Sequence, residues 1–523
     1  MEPPQDSPDC PATSIIAEED FRNVVRVRGE KLLAMARLIR QCDEDRLELT
    51  RPLLGGLLSQ SSQVEELLDT YNARNNRNWR VFRAPVAALK RFSQIKYELI
   101  HIRQSIPLYN LPDVEGSFES ETLVATDFAR KALIRASCQL LDECSRVGLD
   151  LPEPMDYSEF IEMLPPGRLP NDRARRRVDS AGEVVTRLAT AFLNLAAQAD
   201  LLERVTQIRP DEYPDFIPNP VSEESLRNLQ HLFHNLQSLY DTFVSDSETE
   251  CLDPDLPRMR GDVSVVFHLL HIATNLAHYY ERHITGAGTD SGTHGSRFLQ
   301  VDALLAMLME YCITYAGRFL QSGRKLCQTM LNRYAEVESI QVPIPRYRGF
   351  HVRPSTLVAK IVMHYGTDVS MQMDGETYDA SSPLEIFRVN ERINARKRRW
   401  LSAEIGQLPL QQWMSEDDGD VRRIVQRVLN VMAEQGKVVI YDQPLEVGDL
   451  AGRADCPLFE QVIEEVARLQ ATGRIDIHAD MSVTLIGDKR VLEDIRILAE
   501  NGYGEDNLGN NITLPAELGY LRR

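Results

Sequence analysis

Gly349-Phe350-His351-Val352-Arg353-Pro354-Ser355 is the stretch on which the reading of this chain turns. It follows an alternating apolar segment and precedes one with helical spacing, so it forms a strand-to-helix junction. The junction puts His351 at the helix entrance, Arg353 close behind it and Pro354 in the first turn, where a missing N–H costs little. A helix start presents unpaired backbone N–H groups and the positive end of the macrodipole, which suits a phosphate. An imidazole beside a guanidinium at that place is arranged to accept and release a phosphoryl group.

The flanks give the junction a fold. Upstream, Ile340, Val342 and Ile344 alternate as a half-buried strand, and Pro343 marks that strand as an edge. Downstream, Leu357, Val358, Ile361, Val362 and Tyr365 share one side of a helix that Gly366 ends. Val369, Met371 and Met373 form a second strand, Asp374-Gly375 a hairpin turn, and Thr377 to Ala380 the return strand. Ser382 as N-cap, Pro383 at N1 and Glu385 at N3 predict a capping box, with a helix through Ile386, Val389 and Ile393 towards Trp400. An acidic section, Ser415 to Asp420, leads to a helix over 421–434, a strand over Lys437–Tyr441 and a helix over 457–471. Strands are expected at 474–478, 483–486 and 511–514, and a helix near 489–500.

Ahead of this region the strand grammar is missing. A disordered lead is expected over 1–16, then a helical bundle over 17–335, as one body or as two sub-bundles with a break near 205–222. Gly55-Gly56 interrupts the helical spacing, and Pro85 ends or kinks the segment that follows. Pro-rich stretches at 151–179 and 209–220 read as irregular connections, and Gly286 to Gly292 as a linker. No repeat period stands out.

At 523 residues the chain has room for two to four domains, and its 43% hydrophobic content suffices for packed cores. No run reaches the roughly 18 apolar residues of a membrane span. The acidic start Met1-Glu2-Pro3-Pro4 lacks the pattern of a signal peptide, so a cytoplasmic protein without membrane insertion is expected. The eight cysteines show no CxxC pair and read as reduced core residues. A net charge of −19 argues against general nucleic-acid or anionic-membrane binding.

The order strand, histidine loop, helix, strand, Asp-Gly turn, strand, capped helix resembles HPr, the histidine-containing phosphocarrier family of the bacterial sugar phosphotransferase system. The resemblance is dense from Val337 to about Asn390, roughly a tenth of the chain. Gly349-Phe350-His351-Val352-Arg353-Pro354 matches that family's signature of Gly, a bulky apolar residue, His, any residue, Arg and Pro. The resemblance implies an α+β open-faced sandwich, an antiparallel sheet packed by helices, over about 336–472, followed by a small α/β extension over 473–523. It implies that His351 is the phosphoacceptor, attacking through Nδ1, and that Arg353 neutralises the phosphoryl group. Gly349, Val352 and Pro354 shape the phosphate site. Ser382 aligns with a serine that many relatives carry as a regulatory phosphorylation site, though serine is a favoured N-cap in any case. The chain departs from the pattern in about 35 extra residues near 400–436, ahead of an expected last strand, Lys437–Tyr441, and last helix, 457–471. Ser381 and Arg348 also stand where relatives often carry lysine and a small polar residue.

The chemistry expected at His351 is that of a carrier rather than a stand-alone enzyme. Neutral imidazole is the nucleophile, and the loose transition state of phosphoryl transfer spreads charge over oxygens that backbone N–H groups and Arg353 can face. No cofactor is required, since an enzyme-I-like donor protein would supply the phosphoryl group and an unknown protein would accept it. Gly286 to Gly292 lacks the Lys-Ser/Thr ending of a nucleotide loop. The competing reading is an interaction scaffold whose HPr-like domain binds partners without turning over phosphate.

Two further groups stand out. His231 and His234 on one helix, and His268, His271, His278, Glu281 and His283 on another, are residue types that could converge on a metal, but they suit a polar bundle seam equally well and no metal is expected. The basic runs Arg392 to Arg399 and Arg173 to Arg177 read as a solvated helix face and a loop. For the first, an acidic protein partner is favoured over nucleic acid.

Overall fold

A computed structural model describes residues 15–44, 47–109, 111, 114–165, 169, 180–205, 208–245, 247–285, 299–417, 420–441, 444–448 and 456–522. The lead over 1–14, the basic run Arg173 to Arg177 and the glycine loop Gly286 to Gly292 lie outside these residues. The chain divides into two compact units, one of residues 1–184 and 195–326, the other of residues 185–194 and 327–523.

Helices dominate the first unit, as the missing strand pattern predicts. Four long ones come first: α1 (Glu18–Glu44), α2 (Arg51–Thr70), α3 (Trp79–Tyr109) and α4 (Phe118–Val147). After α5 (Ala181–Gln198) come α6 (Asp200–Val205), α7 (Tyr213–Phe216), α8 (Glu223–Phe243), α9 (Glu248–Leu252), α10 (Asp255–Tyr279), α11 (Val301–Ala306) and α12 (Thr314–Arg333). α3 is the central element, packing on α2, α4 and α10, while α10 also packs on α8. Leu32, Leu53, Phe92, Leu99 and Leu133 are fully buried among these helices.

Two local expectations fail here for the same reason, that tertiary burial overrides backbone propensity. α2 runs straight through Gly55-Gly56, because Gly56 lies against α1: a Cβ there would sit 2.5 Å from the Met35 methyl. Pro85 lies inside α3 and does not end it. The buried residues Trp79, Phe82, Val86 and Leu89 on either side hold the helix together across the missing N–H. The break expected near 205–222 holds the short helix α7. One continuous helical stretch, Val301–Arg333, is long and apolar enough by composition to cross a membrane, but 72% of its apolar window is buried, as in a core helix.

The second unit is built on a four-stranded antiparallel sheet. Its strands are β1 (Val337–Pro343), β2 (Ser370–Met373), β3 (Glu376–Asp379) and the later strand β6 (Ser482–Asp488), in the order β1-β6-β2-β3. Val342 faces Val483, and Met371 faces both Leu485 and Tyr378. These side chains alternate inward, so one sheet face is apolar and buried. Helices α14 (Pro383–Ile405) and α18 (Lys489–Glu500) pack with it, and α13 (Val352–Tyr365) packs on both of these helices. β1 is an edge strand ending at Pro343, as the proline requires. Asp374 and Gly375 both have positive φ, 52° and 81°, the geometry of a tight hairpin between twisted strands.

The segment between α14 and β6 is where the structure departs most from expectation. β4 (Val438–Ile440) does not enter the main sheet; it pairs antiparallel with β5 (Ile475–Ile477) in a sheet of two strands. The closing strand and helix of the main sheet are β6 and α18 instead. The main sheet therefore crosses the boundary expected at residue 472, and 473–523 is no separate extension. No strand forms over 511–514, where the contact is a single bridge between Glu505 and Asn511.

Helices α15 (Leu410–Glu416), α16 (Val421–Glu434) and α17 (Leu458–Ala471), the end of α14, and β4 and β5 share a hydrophobic core of their own. This inserted module contains a repeat that the sequence did not reveal. α16, Gly436 and β4 are matched, 37 residues later, by α17, Gly473 and β5. Both glycines have φ 70°, and each ends its helix with the same hydrogen bond, Lys437 N–H to Met432 O at 2.8 Å and Arg474 N–H to Leu469 O at 2.9 Å. Two copies with few identical residues are too short a signal to read from a single sequence.

Candidate functional site

The loop from β1 to α13 is turned by two consecutive left-handed residues, Arg348 (φ 54°) and Gly349 (φ 62°). For arginine this conformation is strained and needs external support. The inserted module supplies it. Arg348 N–H donates to Asp476 Oδ2 at 2.9 Å, and its guanidinium donates to Gly473 O at 2.6 Å and lies over the rings of Tyr347 and Tyr441. From the other side α14 contributes Asn390. Its amide donates to Arg348 O at 3.2 Å and accepts from Phe350 N–H at 2.9 Å. Gly349 is obligatory: a Cβ there would meet Asn390 Oδ1 at 2.2 Å.

After this turn Phe350 enters the core and packs edge-on against Tyr503, whose hydroxyl donates to Pro343 O at 2.7 Å. Burial pushes the Tyr503 phenol far up, so it stays a neutral donor. His351 is the N-cap residue of α13 with extended backbone, and its carbonyl accepts from Ser355 N–H at 3.1 Å. Its side chain makes no cap bond, which leaves the imidazole for other work. Ser355 Oγ donates back to Phe350 O at 2.8 Å and locks the first turn.

The imidazole is held by a residue the sequence reading missed. His351 Nε2 lies 2.8 Å from Oε2 of Glu505, a carboxylate only 6% exposed. A carboxylate can only accept, so Nε2 carries a hydrogen, and in the neutral ring Nδ1 is the nitrogen with the lone pair. Glu505 is aimed at the histidine by a run of left-handed residues, Gly502, Tyr503 and Gly504, just after α18. Arg353 is half-buried beside them, its Nε 3.8 Å from Glu505 Oε1 and its Nη1 bonded to Asn511. Tyr347 stands edge-on to the imidazole with ring centroids 5.5 Å apart, and Tyr441 stands edge-on to Tyr347 at 5.1 Å. Burial, with Asp476 and Tyr347 adding to it, pushes the Tyr441 phenol up. Pro354 is buried in the first turn and Val352 is exposed.

Ser382 begins α14, whose Asn390 holds the histidine loop. Its hydroxyl accepts from Glu385 N–H at 3.3 Å, which is half of the expected box. The return bond is absent. Ser382 N–H donates to Asp379 O, and the Glu385 carboxylate pairs with Arg388 at 2.5 Å, because that cation lies one turn ahead of it.

The basic run after it is largely engaged within the fold. Arg392 pairs with Glu376 at 2.6 Å and Arg396 with Asp374 at 2.8 Å, while Lys397 is 2% exposed and pairs with the buried Asp476 at 3.1 Å. Arg392, Arg396 and Arg399 are exposed, as expected of a solvated face, and only Lys397 departs from it by turning into the core.

The histidines of the first unit form carboxylate contacts in a polar seam. His268 and His271 both bond Glu98, at 2.7 and 3.3 Å, and His278 bonds Glu223 at 2.9 Å. Burial alone would raise the Glu98 carboxyl, but the hydrogen bonds and charge of its two histidines hold it down at about 2. Burial, with Arg83 nearby, lowers His283 to about 3. Glu281 accepts from Glu223 N–H at 2.7 Å, and His231 and His234 are exposed on α8. Among the described residues no three His, Cys, Asp or Glu side chains gather as metal ligands.

No family model, curated protein or solved structure matches this chain.

Proposed function

We propose that this chain is an HPr-like phosphocarrier with a regulatory role, taking a phosphoryl group on His351 from an enzyme-I-type donor and passing it to a partner protein. The observation that carries this reading is the bond between His351 Nε2 and Glu505 at the entrance of α13. It leaves Nδ1 as the nucleophilic nitrogen, beside the positive end of the helix and the Arg353 guanidinium. Donation of Nε2–H to a carboxylate stabilises the positive charge that grows on the ring during attack. The sheet order β1-β6-β2-β3 with helices on its apolar face is compatible with the open-faced sandwich that the resemblance implies. Exposed apolar residues, Val352 next to His351 and Leu384 and Phe387 early in α14, suit a protein partner.

Incubating the full chain with phosphoenolpyruvate and an enzyme-I-type donor is expected to give acid-labile phosphate on the protein. The label should vanish in His351→Ala and persist in Ser382→Ala. A second reading, an interaction scaffold, is favoured by Glu505 already engaging both His351 and Arg353 with its negative charge. Absence of label on the wild-type chain, with the donor active on another acceptor, selects the scaffold.

A further inference from the structure

An open groove of about 1170 Å³ runs over the first unit, far in sequence from His351 and independent of its chemistry. Its walls are one face of α3 (Lys96, Ile100, Arg103), one face of α4 (Glu119, Leu123, Arg130), residues 47–50 ahead of α2 and a strap around Tyr157 to Glu162. The strap is fixed in place. Tyr157 Oη donates to Glu48 O at 2.9 Å, Thr50 Oγ1 donates to Phe160 O at 2.6 Å, and Arg51 pairs with Glu162 at 3.4 Å.

The polar groups of the groove are unevenly matched. Arg130 pairs with Asp43 at 3.1 Å, and Arg51 with Glu162. Lys96 is only 7% exposed, and its ammonium makes a single hydrogen bond, to Thr126 O at 3.1 Å. An ammonium has three donors, and no carboxylate among the described residues lies within ion-pairing distance of this one. A buried cation in that state is costly unless something else completes its shell. Arg103, on the same helix face, also has no carboxylate partner among the described residues. The unpaired acids of the groove, Glu48 and Glu119, are exposed, so its buried charge is positive. Ile100, Leu123 and Ile161 supply an apolar wall beside it.

We propose that this groove binds a small organic oxyanion, a phosphate or carboxylate on an apolar body, with the anionic group at Lys96 and Arg103. The body would lie against Ile100, Leu123 and Ile161. The site makes the helical unit a ligand-responsive element in a chain whose other unit carries the histidine.

Pyridoxal 5′-phosphate is a suitable probe, since it joins a phosphate to an amine-reactive aldehyde. The lysine amine adds to the aldehyde and loses water to form an imine, which borohydride reduces to a stable amine that peptide mass mapping can locate. Burial, with Arg103 and Arg130 adding to it and Glu48 and Asp127 opposing, lowers Lys96 to about 8, so at neutral pH far more of it is in the reactive neutral form than of an exposed lysine near 10.5. The full chain should be modified at Lys96 at least about tenfold faster than at its exposed lysines, and the phosphate should add to the rate, so that pyridoxal without it modifies Lys96 several-fold more slowly than pyridoxal 5′-phosphate does. Protection by inorganic phosphate or by hexanoate supports the site and tells which anionic group it prefers. Equal labelling of all lysines, equal labelling by pyridoxal, or protection by neither anion overturns the proposal. Lys96→Met supplies a control on folding. It removes an incompletely bonded buried charge, so it should raise the melting temperature while abolishing any rise caused by the protecting anion. A fall in the melting temperature of Lys96→Met would mean that the lysine serves the fold, and would also overturn the proposal. Arg103→Ala, at an exposed position, should weaken the anion's protection several-fold.

Discussion

Glu505 Oε2 accepts the hydrogen of His351 Nε2 at 2.8 Å across 154 residues of sequence, and with it fixes which ring nitrogen faces the carboxylate. Nothing in the histidine loop alone makes that choice. A charge-assisted hydrogen bond of this kind is worth about 1.5–3 kcal/mol.

Replacing that carboxylate by its uncharged isostere tests its role. Glu505→Gln keeps the shape and removes the charge that stabilises the growing imidazolium. We expect phosphoryl uptake on His351 to slow by about ten- to a hundredfold. Rapid-quench assay of acid-labile phosphate measures the rate. Nitrogen NMR should show the wild-type ring protonated at Nε2 and the variant as a tautomer mixture. An unchanged rate would reduce Glu505 to a structural neighbour.

The turn before the histidine depends on one amide. Asn390→Ala strips Phe350 N–H of its acceptor in a buried place, at a cost of about 1–3 kcal/mol. Gly349→Ala should cost a similar or larger amount, because it adds left-handed strain to the collision with Asn390. Hydrogen exchange should localise the loosening to residues 346–356, with phosphorylation impaired in proportion.

The inserted module is tied to the site by a buried pair. Removing one partner, as in Lys397→Met, leaves Asp476 charged, buried and deprived of its cation, with an expected loss of about 3–5 kcal/mol. Adding Asp476→Leu should recover part of it but leave Arg348 N–H without its acceptor. Limited proteolysis across 437–478 is the readout. If the single variant resists cleavage as well as the wild type, the pair does not anchor the module.

In the helical unit, pH should act through Asp262, which is fully buried with neither carboxylate oxygen hydrogen-bonded. Burial raises it to about 8 from the ordinary 3.8, against a small opposing pull from Arg258. The native state thus holds a proton that the unfolded chain releases. Its contribution is fully present below about pH 4 and is lost progressively as pH rises towards 8. Asp262→Asn should therefore stabilise the unit by about 2–4 kcal/mol at pH 7 and by little at pH 4. Melting temperatures across pH 4–8 in both proteins give the comparison, and parallel curves would exclude Asp262 as the source.

Much of the second unit was legible because its signals are local. Alternation marked β1 and β2, Asp374-Gly375 set the hairpin, Gly366 ended α13 and Ser382 began α14. Each of these depends on residues a few positions apart, where backbone sterics and capping act. Where local preference met packing it lost: Gly56 and Pro85 sit inside helices whose buried faces outweigh them.

What the sequence by itself determined is the helical character of the described residues between 17 and 335 and the constellation of His351, Arg353, Pro354 and Gly349 at a strand-to-helix junction. Tertiary structure alone decided which strand closes the sheet. Val438–Ile440 and Ser482–Asp488 are both short apolar strands, and only pairing partners distinguish them. It alone brought Glu505, Asn390 and Asp476 to the histidine loop. Their spacing carries no period that a single sequence can show, because a buried carboxylate or amide is placed by its hydrogen-bond partner and not by its neighbours in the chain.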